Sequence, residues 1–300
     1  MENVKYKFYE SGLGFERIQA DLFNSNTGSN VSAVDIEQKI IKNKKDPRLL
    51  RYAFTDENKP LAYIQASQVS SKVFYLGYPW CTADCSPDVQ NKLFSDMLVY
   101  LKSKNPDEIQ YWIKTQWSKV REFFTERGFI LKVKGLDYSF DIEKLSNQKL
   151  DDKTKYKSRL ATTSDIDSLI ELGRVDKELQ EAGLTEEFFQ DYFKNKVLKD
   201  GHCIIISQES QDVCASAPLL DQPSSDKPRL VLRFTATRPG FEDSWPLLLT
   251  DIARECKMAG WERYPLHFNT EEGSEIAKTL VQFKPKITDN YSLFTLELAK

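Results

Sequence analysis

The sequence predicts an α/β protein built from two tandem copies of one domain, each a mixed, partly splayed sheet with helices on both faces. Three observations predict it. The first is a repeat. Leu93, Phe94, Met97, Leu98 and Leu101 have the i, i+1, i+4, i+5, i+8 spacing of a helix face, and adding 155 gives Leu248, Leu249, Ile252, Ala253 and Cys256 in the same spacing. That offset also takes the alternating Ile109, Tyr111 and Ile113 to Tyr264, Leu266 and Phe268. A period of this size marks a duplicated domain rather than a solenoid. The second observation is length: 300 residues suit two domains, each able to enclose a core. The third is the polar stretch from Ser146 to Thr154, which reads as a linker. The chain divides into domain 1 over 1–145, a linker over 146–158 and domain 2 over 159–300.

The elements follow from local patterns. Val4 to Tyr9 opens the first copy as a strand. Phe15, Ile18 and Leu22 are spaced for a helix, and Ser32 precedes a second helix carrying Ile36, Ile40 and Ile41. Residues 50–54 and 61–66 flank the turn 56–59 as a hairpin, and 73–78 is a further strand. Ser86-Pro87-Asp88 supplies a capping hydroxyl, a proline in the first turn and an acid for the helix that runs to residue 102. Strand 109–113, helix 118–126 and strand 129–140 complete the copy. The second copy repeats the order. It opens at 159–162, Ser164-Asp165 caps helix 166–172, and Thr185 starts a helix with Phe188, Phe189, Tyr192 and Phe193. Strands 203–206, 213–217 and 230–235, helix 246–258, strand 264–268, helix 273–280 and strand 291–298 follow. An offset of 152 maps Ile36, Ile40 and Ile41 onto Phe188, Tyr192 and Phe193.

The bulk composition narrows the functions. A net charge of −3 gives no basic footprint for nucleic acid. No apolar run approaches the ~20 residues that span a bilayer, and the N-terminus lacks a signal peptide's apolar core, so no membrane partner and a cytoplasmic location are expected. Five cysteines make no disulfide framework. Cys81 and Cys85 form a C-x3-C pair, but with only His202 and His267 as imidazoles the expectation is plain thiols and no metal.

Arg159-Leu160-Ala161-Thr162-Thr163-Ser164-Asp165 resembles the opening R-x-A-T-x-x-D of the GNAT superfamily of acyl-CoA N-acyltransferases, and Phe123 to Phe129 resembles its closing F-Y-x-x-x-G-F. Tyr78-Pro79 and Arg238-Pro239 resemble the apolar-proline step after its central strand. The resemblance implies acetyl-CoA, or another acyl-CoA, as co-substrate, and a small-molecule or peptide amine as acceptor. It also implies two domains packed on each other. The cofactor would lie between two splayed parallel strands with its pyrophosphate on the next helix N-terminus, where N–H groups are unpaired. The residues so placed are Tyr78, Ala83, Asp84, Cys85 and Ser86 in the first copy, and Arg238, Gly240, Ser244 and Asn269 in the second. The sequence departs from the pattern there. Residues 80–87 contain no glycine, and Glu242 and Asp243 put like charge where phosphate belongs. The family's proton-donating tyrosine matches Phe124 in one copy and falls near Lys278 in the other.

Two side chains are candidates for catalysis. His267 ends a strand and could deprotonate an amine, although a core-edge histidine gives the same pattern. Lys278 could donate a proton, although a solvated helical lysine is the plainer reading. Arg238 suits either a phosphate or the neighbouring acids. The aromatics Phe74, Tyr78, Trp80, Trp112 and Trp117 suit either a pocket wall or a core. Two functions stay open: an N-acyltransferase, or a catalytically decayed tandem copy of the fold that binds a ligand or a partner.

Overall fold

The computed structural model describes residues 4–42, 46–150, 155–176, 190, 192–198, 202–221 and 228–298. The helix expected to start at Thr185 lies largely outside the described residues. Among the described residues two compact units form, one running up to Lys132 and taking in the chain from Ser292 onward, the other lying between Val133 and Tyr291.

In the first unit β1 (Lys5–Phe8), β2 (Leu50–Phe54), β3 (Pro60–Gln68) and β4 (Val73–Leu76) pair in that order, antiparallel throughout. β6 (Glu108–Lys114) then joins β4 in parallel. The order in the second unit runs from β7 (Ile130–Phe140) to β12 (Leu266–Glu271), β11 (Arg229–Thr237), β10 (Gln211–Asp221), β9 (Ile204–Gln208) and β8 (Tyr156–Leu160). Here too one pair is parallel, β11 with β12. Each unit is thus a mixed sheet around one βαβ crossover, as expected.

The units depart from the boundaries at 145 and 159. Strand β7 passes into the second unit at Val133 and pairs there with β12. Strand β13 (Lys286–Glu297) runs the other way, its residues from Ser292 onward belonging to the first unit, where Phe294 joins the core. Each copy's closing strand therefore completes the other copy's unit. Part of the expected linker is also structured: helix α5 (Ile142–Ser146) ends in it and β8 begins in it.

The backbone repeats along with the sequence. Residues forced into the left-handed region recur in pairs: Asn58 and Glu209 in the hairpin turns, Asn105 and Gly260 after the long helices, Gly128 and Lys284 before the closing strands. The long helices are α3 (Pro87–Lys102) and the helix Trp245–Met258. Their repeated faces are core: Leu93, Phe94, Met97 and Leu101 are buried in one unit, Leu248, Leu249, Ile252, Ala253 and Cys256 in the other. The Ser86 hydroxyl caps α3 by accepting from the Val89 N–H, as its position predicts. Helix Ile166–Val175 differs. Its lead-in turn is held by a capping box of Thr162 and Asp165, so the capping hydroxyl is Thr162 rather than Ser164.

Candidate functional site

The two parallel pairs separate at matching places. The pairing of β4 with β6 ends at Tyr75 and Gln110, and that of β11 with β12 ends at Val231 and His267. A one-residue bulge follows in each. Leu76 faces Ala66, but Trp80 in the short strand β5 (Trp80–Cys81) faces Tyr63, so residues 77–79 stand opposite only two. In the second unit Leu232 faces Pro218 and Phe234 faces Ala217, leaving Arg233 extra. Gly77 and Arg233 differ by 156. A Cβ at Gly77 would lie 2.8 Å from the Gln65 carbonyl oxygen, which explains the glycine there. Each unit thus has a wedge between two splaying parallel strands, with a bulge at its vertex.

Aromatic side chains pack into both wedges. In the first unit Trp80, beyond the bulge, meets Trp117, beyond β6, edge to face at 5.3 Å. Phe23 touches both rings, and Tyr78 sits between Trp80 and Phe123 of helix α4 (Ser118–Thr125) at 4.9 and 5.0 Å. The Arg127 guanidinium covers Phe123 at 3.4 Å and bonds Asn91 of α3. The half-buried Tyr111 ring of β6 stacks on Phe124 at 4.9 Å, and desolvation pushes the pKa of its phenol up. In the second unit Trp245 does the filling. Its ring lies 4.7 Å from Phe268 of β12, its Nε1–H donates to the Thr237 hydroxyl of β11 at 3.0 Å, and none of it is exposed.

The sequence-predicted residues scatter around these wedges. Ala83, Asp84 and Ser86 are exposed and Cys85 half-buried, in the turn that starts α3. Arg238 is engaged by the Asp212 carbonyl and the Glu171 carboxylate. It stands where Thr82 does in the first copy, since its N–H bonds Val213 as Thr82 bonds Leu61, so Tyr78-Pro79 and Arg238-Pro239 are not equivalent steps. The Gly240 N–H donates to Glu242, whose carboxylate sits where an anionic ligand would. Asp243 is held by Tyr156 and Lys155. Ser244 is fully buried.

The catalytic candidates are not brought together either. Lys278 pairs with Glu275 on the surface. Counted from Lys284, the position that Gly128 occupies, the equivalent of Phe124 is Leu280, and both are fully buried apolar residues. His267 does have a partner, far from it along the chain. Its Nδ1 lies 3.4 Å from the Asp137 carboxylate, which also accepts from Thr288 at 2.7 Å. Asn269, two residues along the same strand, is exposed and stands opposite Asp137.

The first unit also holds open space. Helices α1 (Phe15–Thr27) and α2 (Ala33–Lys42) and strand β3 enclose a groove of about 260 Å³ lined by Phe23, Ile36, Lys39, Tyr63, Gln65 and Ser67. A second hollow of about 180 Å³ shares Gln65 and Ser67 with it and reaches Gly77, Tyr111 and Trp112 at the wedge vertex. Gln19, buried on the groove floor, bonds Gln65 at 3.0 Å. Sequence reasoning missed this groove, because Gln19 and Gln65 are ordinary polar residues until the fold brings them together. Among the described residues no cluster of three metal-ligating side chains occurs, and no helix is long and apolar enough to cross a membrane.

Comparison with known proteins fits this geometry. No protein-family description and no curated protein matches the sequence. Solved structures do. A GCN5-related N-acetyltransferase from Sphaerobacter thermophilus superposes with TM-score 0.70 at 10% identity, over 98% of this chain and 95% of that one. A tandem GNAT protein from the clavulanic acid biosynthesis pathway gives 0.67 at 9% identity, over 99% of both chains. The fold is the tandem GNAT fold. A third structure, the glucosamine N-acetyltransferase region of a fungal multi-domain GH3 β-N-acetylglucosaminidase, gives 0.71 at 12% identity, over 99% of this chain and 38% of that one. At such identities the GNAT likeness speaks for the fold alone. An acyl-CoA would lie in the wedges, and the residues filling them do not fit one.

Proposed function

We propose that this tandem GNAT-fold protein has given up acyl-CoA chemistry and binds a small amphipathic ligand in the groove of its first unit. The aromatic filling of both wedges carries the reading. For a pantetheine arm to enter the second wedge, Trp245 must move into water. Exposing ~150–250 Å² of aromatic surface costs about 4–6 kcal/mol, before the hydrogen bond to Thr237 is counted. That is a factor of roughly 10³–10⁴ in affinity, enough to move a micromolar cofactor to millimolar or weaker. The first wedge would need Trp80, Trp117 and Tyr78 displaced together. The groove needs no rearrangement. It offers apolar walls, the amides of Gln19 and Gln65, and Lys39 as a cation for an acidic group.

The second reading is the N-acyltransferase. The splay of the parallel strands at matching positions favours it, as this is the architecture that holds acyl-CoA in the fold. In that reading an amine acceptor enters the same groove and meets the thioester at Gly77, and cofactor contacts fall to Ala83, Asp84, Cys85 and Ser86. His267, held by Asp137, is the base if the second unit is the active one. Titration calorimetry with acetyl-CoA and with CoA separates the readings. No heat at millimolar cofactor is expected. One-site binding with micromolar affinity would overturn the proposal in favour of the acyltransferase.

A further inference from the structure

The groove and the hollow beside it in the first unit have unlike ends. They adjoin at Gln65 and Ser67, which stand two apart on β3 and so on one face of it. Gln65 is fixed there. Its carbonyl oxygen accepts from the Gln19 amide at 3.0 Å, and the Gln19 oxygen accepts from the Tyr52 hydroxyl at 3.3 Å. Gln19 and Tyr52 are both buried, so the junction is anchored in the core. Lys39 stands at the groove end, exposed on α2. Among the described residues that line either space it is the one charged side chain, and it makes no ion pair with another described residue. The other end is aromatic, with Tyr75, Tyr111 and Trp112 around Gly77. The Trp112 indole N–H donates to the Tyr75 hydroxyl at 3.1 Å, which ties those two rings together.

We infer that the ligand of this site is an aromatic monocarboxylate, its carboxylate on Lys39 and its ring against Tyr75, Tyr111 and Trp112, an inference that rests on the groove being the binding site proposed above. A single ammonium at one end selects a single negative charge on the ligand. No carboxylate among the described lining residues offsets that ammonium, so an amine of the same shape meets only like charge. The rings at the far end favour an aromatic body over an aliphatic one, because aromatic pairs gain from stacked and edge-on contact beyond the area they bury. Gln65 and Ser67, at the junction, face the linker between the two ends of the ligand.

The test is titration calorimetry of the full chain with four probes of one shape: 4-phenylbutanoate, 4-phenylbutanamide, 4-phenylbutylamine and 4-cyclohexylbutanoate. The phenyl acid is expected to bind tightest. The amide should bind about fivefold more weakly, the scale of one exposed charge pair, and the amine more weakly again. The cyclohexyl acid should lose about threefold for want of aromatic contact. Lys39→Glu, on an exposed helix position, is expected to reverse the order so that the amine binds tighter than the acid. Trp112→Leu should narrow the gap between the phenyl and cyclohexyl acids. An amide or amine that matches the acid on the wild-type protein overturns the inference, as does a Lys39→Glu protein that keeps the wild-type order. Equal affinity for the two acids overturns its aromatic part. In each of these cases a ligand still binds, and the groove stands as a binding site. If none of the four probes binds at millimolar concentration, the groove falls as a binding site and the inference with it.

Discussion

The wedge of the first unit is closed by rings from several elements, and the wedge of the second by one. Trp80, Trp117, Tyr78 and Phe23 share the first, and Trp117 is partly exposed. Trp245 fills the second alone, fully buried, with its N–H bound to Thr237. The same position in a duplicated fold has thus been closed by two unrelated sets of residues. A shared filling tolerates the loss of one ring, whereas a single plug does not. Trp245→Ala is therefore expected to cost about 3–5 kcal/mol, through the cavity it leaves and the loss of its hydrogen bond to Thr237. Trp117→Ala, only part-buried, should cost about 1–2 kcal/mol. Urea unfolding measures both, and equal losses would break the comparison.

The vertices differ as well. The bulge holds Gly77 in one unit and Arg233 in the other. Gly77→Ala puts a methyl against the Gln65 backbone oxygen and should cost about 1–3 kcal/mol, since a backbone carbonyl cannot step aside. The second vertex already carries a residue with a Cβ. A Gly77→Ala protein with an unchanged urea midpoint would show that the first vertex is as permissive as the second.

How much of this was legible follows from what kind of interaction carries each feature. Helix faces and strand alternation are periodic, so the repeat of Leu93 in Leu248 could be read from the residues directly. The Ser86 cap could be read too, because it acts over three residues. The exchange of β7 and β13 could not, since pairing partners lie more than 100 residues apart and either closing strand suits either sheet. The plug at Trp245 was equally hidden. A tryptophan in a helix's first turn signals nothing until the distances to Thr237 and Phe268 are known. The matching of Lys278 to Phe124 failed for a related reason. The true anchor of the register is a backbone conformation, the left-handed residue at 128 and 284, and a lysine gives no sign of it.

That anchor supplies a smaller test. Gly128 adopts φ +81° at no steric cost, while Lys284 holds φ +49° with a Cβ. Lys284→Gly is expected to stabilise the protein by about 0.5–1 kcal/mol, the left-handed strain relieved less the chain entropy glycine adds to the unfolded state. Gly128→Lys should destabilise it by a similar amount. Thermal melts of the pair test whether the two turns are equivalent, and changes of the same sign would deny it.

The smallest effect expected is electrostatic, and it too has a counterpart in each unit. Asp46 is held at about 2 by hydrogen bonds from the Arg48 guanidinium, with the Arg48 N–H and the Tyr100 hydroxyl adding to it. Asp165 in the second unit is lowered as well; burial opposes the shift at both sites and is the largest influence at Asp165, where Arg159 and the Thr162 N–H overcome it while Arg159 also pairs with Asp212. A carboxyl lowered on folding stabilises the native state above its unfolded pKa of ~3.9 and loses that contribution as pH falls through the folded value. Between pH 4 and pH 2 the folded state should therefore weaken, and Arg48→Ala should remove part of that pH dependence. NMR titration of the side-chain carboxyls reads the sites separately. In Arg48→Ala the Asp46 signal should move up toward the ordinary carboxylate range while Asp165 stays where it was. An Asp46 that still titrates near 2 would mean that Tyr100 and the local backbone, rather than the arginine, hold the charge.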